Sequence, residues 1–185
     1  VLAPDYTVSE DGLTYTFNLR QGVLFHNGEE LKASDVVFTI ERCRPSARMY
    51  SYVEPIASAE ALDDYTVTIT LSYQYAPFIK YVGELDIVNE KFVTEVGDDG
   101  FATQTCGTGP YMLKEFVQAQ SASVTAFPDY WQGEASIKDI DWKIITDTST
   151  ALLAFESGEL DYVSVPTANW PDVEASGKYH TELLE

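Results

Sequence analysis

The stretch from Ser9 to Arg42 constrains the fold of this 185-residue chain more than any other part of it. It opens with Asp11-Gly12, which is a turn signal because glycine tolerates a positive φ. Apolar and aromatic residues then occupy every second position: Leu13, Tyr15, Phe17 and Leu19. Alternation with period two predicts a strand that buries one of its faces.

The same stretch continues with a turn and a helix. Asn27-Gly28 suits a tight hairpin turn. Four apolar residues then recur at helical spacing: Val36, Val37, Ile40 and Cys43. They predict an amphipathic helix with one buried face. Asp35 in its first turn and Arg42 in its last turn complement the helix dipole.

Short strands and short helices alternate along the rest of the chain, so the fold class that we predict is α/β in the sense of mixed α and β. The clearest strand is the alternating run 65–71. Further strands are predicted over 112–117, 123–127, 140–144 and, as a buried strand, 158–166. Helices are predicted over 76–82, 89–96, 148–157 and 169–176. Trp131 and Trp142 lie in patterned segments, and we expect both to be buried.

Acidic residues dominate the charge of the chain, which has 30 Asp and Glu, 11 Lys and Arg, and a net charge of −19. This balance argues against a nucleic-acid partner, because phosphate binding needs clustered Lys and Arg. The acidic residues are spread along the chain, which favours a solvated surface. A surface that attracts cationic ligands stays open as an alternative. No run approaches the roughly 20 apolar residues that a membrane-spanning helix needs.

No motif in the sequence carries a recognisable reaction. Nucleophile–base and zinc-protease motifs are absent, and adjacent carboxylates such as Asp63-Asp64 lie at turn positions that favour Asp for local hydrogen bonds. The histidines and cysteines lack the spacing of a metal site: His26, His180, Cys43 and Cys106. We therefore predict a protein that is not an enzyme and has no catalytic residue, no metal site and no cofactor. Whether the two cysteines are bonded stays open.

The chain resembles the family 5 extracellular solute-binding proteins of ABC importers, the dipeptide, oligopeptide and nickel group. The resemblance rests on "SEDGLTYTFNLR" and "GVLFHNGEELKASDVVFTIER" near the start, and on "DYWQGEASIKDIDWKII" and "GELDYVSVP" further along. It implies a periplasmic-binding-protein-like fold of type II, of which this chain is part of the first lobe. It also implies that 1–86 form the extra subdomain of that lobe, and that 87–185 form its body up to the crossover to a second lobe.

The resemblance implies site residues as well. In peptide- and nickel-binding members, an aromatic residue in the segment after the first helix reaches the ligand cleft, and this role carries over to Tyr50 or Tyr52. The same mapping indicates Leu85 and Asp86, where the chain leaves the subdomain. A tyrosine suits such a role because it offers a flat apolar face and one hydroxyl at low entropic cost.

The function that the resemblance implies is non-catalytic capture of an extracellular solute, most of all a peptide, and its delivery to a membrane permease. The expected partners are the small solute or peptide and the permease, with no nucleic acid, and we expect a monomer. We expect an extracellular or periplasmic location and a lipoprotein anchor. Because half of the cleft would come from a second lobe, we expect the 185-residue chain alone to bind ligand weakly or not at all.

Three alternatives stay open. The first is the same family binding nickel or an oligosaccharide. The second is an acidic secreted hydrolase domain, which would need carboxylates that converge in a pocket. The third is a surface interaction module that uses exposed tyrosines.

Overall fold

A four-stranded antiparallel sheet organises the first part of the chain in the computed structural model, which describes residues 1–182. Its strands are β1 (Asp5–Val8), β2 (Thr14–Asn18), β3 (Ile56–Ala61) and β4 (Thr66–Leu71). They lie in the spatial order β1-β2-β4-β3. The register pairs Tyr15 with Ile69 and Phe17 with Val67 across the two central strands.

One face of this sheet forms the main core. Val67, Ile69 and Leu71 are buried, while the threonines between them are half-buried, which confirms the strand predicted over 65–71. The strand predicted after Asp11-Gly12 forms as β2. Strands β1 and β3 were not predicted, and β3 is rich in Ala, which has low strand propensity. The edge of β4 supplies a hydrogen-bonding partner for β3, and residue propensities take no account of such a partner.

Helix α1 (Ala33–Cys43) packs its apolar face on this sheet. Val36, Ile40 and Cys43 are buried, as its spacing predicted, and Val37 is half-buried. At its start, the main-chain N–H of Lys32 donates to the carboxylate of Asp35 at 2.9 Å. This bond satisfies a donor that would otherwise lack a partner at the helix end.

The Asn27-Gly28 turn forms as predicted, with Gly28 at a φ of +85°. The N–H of Phe25 donates to the carbonyl of Glu29 at 2.8 Å and closes the turn. Only one isolated bridge, Leu24 to Glu30, flanks it, so the arms are too short to count as strands. This turn buries a second apolar cluster: Val23, Phe25, Leu31 and Cys106.

Three helices follow in the first part of the chain: α2 (Tyr50–Val53), α3 (Phe78–Gly83) and α4 (Glu90–Phe101). The short helix α2 was not predicted from the sequence. Asn89 caps α4 as predicted, because its side chain accepts the N–H of Phe92 at 2.9 Å. The predicted end at Gly97 is a kink, with φ at 69°, after which the helix resumes.

A three-stranded sheet has the order β5-β6-β7, with β5 (Tyr111–Val117), β6 (Ser121–Ala126) and β7 (Asp139–Lys143). Trp142 on β7 is 50 % exposed, so the prediction that it is buried is wrong. Alternation showed that the residue lies on an apolar face, but it could not show whether another element covers that face. Trp131 is half-buried, with the guanidinium of Arg20 4.7 Å from its ring centre.

The last helices are α5 (Thr148–Glu156) and α6 (Trp170–Ser176), and both were predicted. Asp147 caps α5 by accepting the N–H of Thr150 at 2.8 Å. Gly177 ends α6 at a φ of 61°. The buried strand predicted over 158–166 is wrong, since Tyr162 is 72 % exposed and this segment finds no partner strand among residues 1–182.

The chain folds into two compact units. One holds 1–116 and 123–141, and the other holds 117–122 and the chain from Trp142 onward. Every buried residue of the described chain belongs to the first unit. The subdomain boundary placed after residue 86 stays a prediction. None of the described helices has the length and apolar character that crossing a membrane requires.

Candidate functional site

Five tyrosines gather near α2, α3 and the segment that follows β4. Tyr52 packs edge-on against Tyr81, with 5.6 Å between ring centres. Tyr75 lies 5.7 Å from Tyr81 and 6.1 Å from Tyr73. Tyr50 lies at the start of α2, the short helix that also carries Tyr52. We call these five residues the tyrosine cluster.

The local fold explains why these rings meet. The N–H of Ser72 donates to the carbonyl of Pro55 at 2.8 Å, which holds the segment after β4 against the end of α2. Pro77 then opens α3, as proline does at helix starts. Phe78 of α3 is completely buried, and its ring centre lies 4.7 Å from that of Tyr15 on the main sheet. The core thus fixes the helix that carries Tyr81.

A carboxylate adjoins the cluster. The hydroxyl of Tyr73 donates to Oε2 of Glu54 at 2.5 Å, and this hydrogen bond raises the pKa of Tyr73. Burial, followed by the hydroxyl of Tyr81, raises the pKa of Tyr75. Both hydroxyls therefore remain protonated at neutral pH. Glu54 forms no ion pair with any described residue.

Both tyrosines that were singled out from the sequence lie on α2. Tyr50 is 49 % exposed, and Tyr52 is half-buried within the cluster. The other three members were not predicted: Tyr73, Tyr75 and Tyr81. Their signal was the aromatic density of "SYQYAPFIKY", which follows β4 directly and of which only 76–81 was interpreted, as part of a helix.

Leu85 and Asp86 differ in their surroundings. Leu85 is 7 % exposed and packs into the main core, where it also lines an apolar cleft of about 490 Å³. Asp86 is exposed. Beyond them, the N–H of Val88 donates to the hydroxyl of Thr39 at 3.1 Å and ties this segment to α1. A ligand contact by either Leu85 or Asp86 stays a prediction.

An acidic pocket on the first unit allows a test of the hydrolase alternative. Lys91 pairs with Glu29, and Lys32 pairs with Glu30 at 3.0 Å. A hydrogen bond from the Lys91 ammonium is the main reason why the pKa of Glu29 is lowered. A hydrogen bond from the main-chain N–H of Gly22 is the main reason why the pKa of Glu30 is lowered. Asp35 lines the same pocket and has a pKa raised by burial, but it is 4 % exposed and both of its oxygens accept main-chain N–H groups. The pocket therefore offers no accessible carboxylate with the raised pKa that a general acid for glycoside hydrolysis needs.

The histidine and cysteine side chains that could bind a metal ion either form hydrogen bonds within the protein or lie in different apolar clusters. His26 Nδ1 accepts the N–H of Gly107 at 3.3 Å, so Nε2 carries the proton and donates to the carbonyl of Gly109 at 3.0 Å. Cys43 and Cys106 are free buried thiols in different apolar clusters, and burial raises the pKa of each. Within residues 1–182, no group of three or more His, Cys, Asp or Glu could hold a metal ion.

Comparison with known proteins gives a consistent result. The model of the bacterial extracellular solute-binding proteins, family 5, middle region, matches residues 1–182. The glutathione-binding protein GsiB of Salmonella typhimurium is 36 % identical over 169 residues, which are 88 % of this chain and 33 % of that protein. The chain thus spans about a third of the length of this curated relative.

Solved structures resemble the chain in fold. NikZ from Campylobacter jejuni, in complex with Ni(L-His), matches with a TM-score of 0.87 and 26 % identity over 94 % of this chain and 36 % of that one. DppA from Helicobacter pylori, in complex with the peptide STSA, matches with a TM-score of 0.84 and 31 % identity over 97 % of this chain and 40 % of that one. These matches confirm the predicted mixed α/β fold of the periplasmic-binding-protein-like type II class.

Proposed function

The chain belongs to the bacterial extracellular solute-binding proteins of family 5, and from this premise we propose that the protein is the non-catalytic substrate-binding component of an ABC importer. It captures a solute outside the cytoplasmic membrane and delivers it to a permease, its protein partner. The protein acts as a monomer anchored as a lipoprotein. Ligand binding stabilises a closed form of the protein, so that capture is a shift between two conformational populations.

The solute that we propose is a short peptide. Two observations support this class: a relative named for glutathione, which is itself a tripeptide, and a similar structure in complex with the peptide STSA. The likeness to NikZ, with its Ni(L-His), supports a metal chelate as the second candidate. An oligosaccharide has no comparable support among these relatives.

The tyrosine cluster is the observation that carries the proposal at the level of residues. Tyr50 is exposed, and Tyr52 is held by its edge-on contact with Tyr81. Rings held in this way lose little entropy when a ligand packs on them. We propose Tyr50 and Tyr52 as ligand contacts, with Leu85 and Asp86 as weaker candidates at the start of the segment that follows α3.

Calorimetric titration of the full-length protein, as its gene encodes it, tests the proposal. We expect glutathione or the tetrapeptide STSA to bind, and Tyr52→Ala to weaken that binding by about tenfold, the cost of a central aromatic contact. Tyr162→Ala, in an exposed tyrosine remote in sequence from the cluster, should leave affinity unchanged. Binding of Ni(L-His) with no binding of either peptide would overturn the peptide assignment. If Tyr52→Ala binds the peptide with wild-type affinity, the assignment of Tyr52 as a ligand contact would be overturned.

A further inference from the structure

We propose that Asn27 is a site of spontaneous modification, at which the side-chain amide is lost by deamidation through a cyclic imide formed with Gly28. The reaction needs no enzyme and no co-reactant other than water. It concerns the turn that precedes α1, and it is independent of the proposed function.

Asn27 is the only one of the four asparagines in the chain that a glycine follows. The nucleophile in this reaction is the main-chain nitrogen of the next residue, so a side chain on that residue obstructs the attack. Gly28 has no side chain, and no atom from beyond its chain neighbours lies within 4 Å of the position that a Cβ would take. Asn27 and Gly28 are both exposed, so water reaches them.

The turn holds the reacting groups together. Oδ1 of Asn27 accepts the main-chain N–H of Glu29 at 3.1 Å, which folds the side chain back over the peptide group of Gly28. The same bond places a donor on the oxygen where negative charge develops when the nitrogen attacks Cγ. The fixed geometry and this donor both favour the attack.

One hydrogen bond opposes the attack. The N–H of Gly28 donates to the carbonyl of Phe25 at 2.8 Å, and the nitrogen becomes a nucleophile only after it loses this proton. Breaking one main-chain hydrogen bond slows the reaction by about fivefold. The turn therefore restrains deamidation without preventing it.

The reaction replaces the NH₂ group of the side chain by OH. Hydroxide takes the proton from the Gly28 N–H, the nitrogen forms a bond to Cγ of Asn27, and the bond from Cγ to Nδ2 breaks. Nδ2 takes up a proton from water and leaves as ammonia. Water then opens the cyclic imide at either of its carbonyls, which leaves aspartate or isoaspartate at position 27.

Deamidation changes a contact between the turn and α4. Nδ2 of Asn27 donates to Oδ1 of Asn89 at 3.3 Å, and the same oxygen caps α4 by accepting the N–H of Phe92. The carboxylate of the product has no N–H to donate. It brings an acceptor and a new negative charge to this oxygen, so the side-chain bond between the turn and the helix cap is lost.

Ageing of the full-length protein at mildly alkaline pH, followed by tryptic digestion and mass spectrometry, tests the inference. Asn27 lies in the tryptic peptide 21–32, and each of the other asparagines lies in a different peptide. We expect 21–32 to gain the mass that replacing NH₂ by OH adds, and to separate into two isomers on chromatography. Its conversion should be at least about tenfold faster than that of any other asparagine.

Asn18 and Asn169 are the matched controls, because both are exposed but are followed by the bulky residues Leu19 and Trp170. If either converts as fast as Asn27, exposure alone decides the rate and the role of Gly28 is overturned. Asn27→Gln should keep its mass at this position, because a side chain that is longer by one methylene closes a less favourable ring.

A synthetic peptide of residues 21–32, aged beside the protein, measures the rate without the fold. Given the bond from Gly28 to Phe25, we expect Asn27 in the folded protein to convert no more than about tenfold more slowly than in this peptide. A greater slowing would mean that the turn protects Asn27, and it would overturn the inference. Neither result depends on which solute the protein binds.

Discussion

The carboxylate of Asp35 accepts a hydrogen bond from the main-chain N–H of Glu90 at 2.9 Å, and this bond joins α1 to the start of α4. Its other oxygen accepts the N–H of Lys32, also at 2.9 Å. One side chain, only 4 % exposed, therefore satisfies donors at two helix N-termini. It forms no ion pair with any described residue, and the positive ends of the two helix dipoles offset part of the cost of burying its charge.

Asp35→Asn should destabilise the protein by about 1–3 kcal/mol, because an amide has one acceptor oxygen where the carboxylate has two. One buried N–H would then lose its partner. Urea unfolding measures the change. Asp129→Asn, at an exposed aspartate with no hydrogen bond among the described residues, is the matched control and should stay within about 0.5 kcal/mol of wild type. A loss in Asp35→Asn as small as that in the control would contradict this account of the two caps.

The ionisation of Asp35 should also make the folding stability of the protein depend on pH. Burial raises the pKa of Asp35 in the folded protein above its ordinary value of 3.8. The folded state therefore binds the proton of Asp35 more tightly than the unfolded state does. The stabilisation from this protonation is complete below pH 3.8 and is lost as the pH rises through the raised pKa of the folded protein. The stability of the wild type relative to Asp35→Asn should thus fall as the pH rises across that window. Urea midpoints of both proteins, measured from pH 3 upward, test the sign, and a rising difference would contradict it.

Two glycines should respond in opposite directions to the same substitution. Gly28 has a φ of +85°, which an L side chain adopts only at a cost, so Gly28→Ala should destabilise by about 1–2 kcal/mol. A Cβ at Gly83 meets nothing within 4 Å and its φ is ordinary. Gly83→Ala should therefore stabilise by about 0.4–1 kcal/mol, because it restricts the unfolded chain. Thermal unfolding of the two variants measures both signs, and a stabilised Gly28→Ala would refute the strain argument.

His26 should contribute to stability through both ring nitrogens. His26→Ala removes the hydrogen bonds to Gly107 and Gly109, together with the edge-on contact to Phe127 at 5.1 Å. We expect a loss of about 1–3 kcal/mol. His180→Ala removes the other histidine, which is exposed, and should be close to neutral. Comparable urea midpoints for the two variants would show that the bonds of His26 add nothing.

Periodicity predicted the elements of the fold that have a single apolar face. The strand over 65–71 and helix α1 bury the residues that their spacing indicated. The same reasoning failed for Trp142 and for 158–166, because a pattern identifies an apolar face without saying what covers it. The strand β3 was missed for the converse reason, since its pairing with β4 outweighs its weak propensity.

The candidate site was predictable only in part, because it depends on contacts between distant segments. The resemblance indicated Tyr50 and Tyr52 from their place after α1. Tyr73 meets Glu54 only because the N–H of Ser72 bonds to the carbonyl of Pro55. No local pattern encodes that contact, so the carboxylate and the other rings could not be inferred from the sequence.

The bond between Tyr73 and Glu54 should be visible in the titration of the tyrosines. A phenol that donates to a carboxylate is stabilised in its protonated form, and this raises the pKa of Tyr73 above the ordinary value of 10.0. Glu54→Gln should lower the pKa of Tyr73 towards 10.0, because it removes both the charge and the strongest acceptor. In the wild type, the stabilisation from this bond is complete below pH 10.0 and lost as the pH rises through the raised value.

NMR titration of the tyrosine rings against pH measures the change, and Tyr73→Phe assigns the resonance. Glu60→Gln should leave the pKa of Tyr73 raised, since its carboxylate is not a partner of that hydroxyl. An unaltered pKa of Tyr73 in Glu54→Gln would mean that the hydroxyl does not donate to Glu54 in solution.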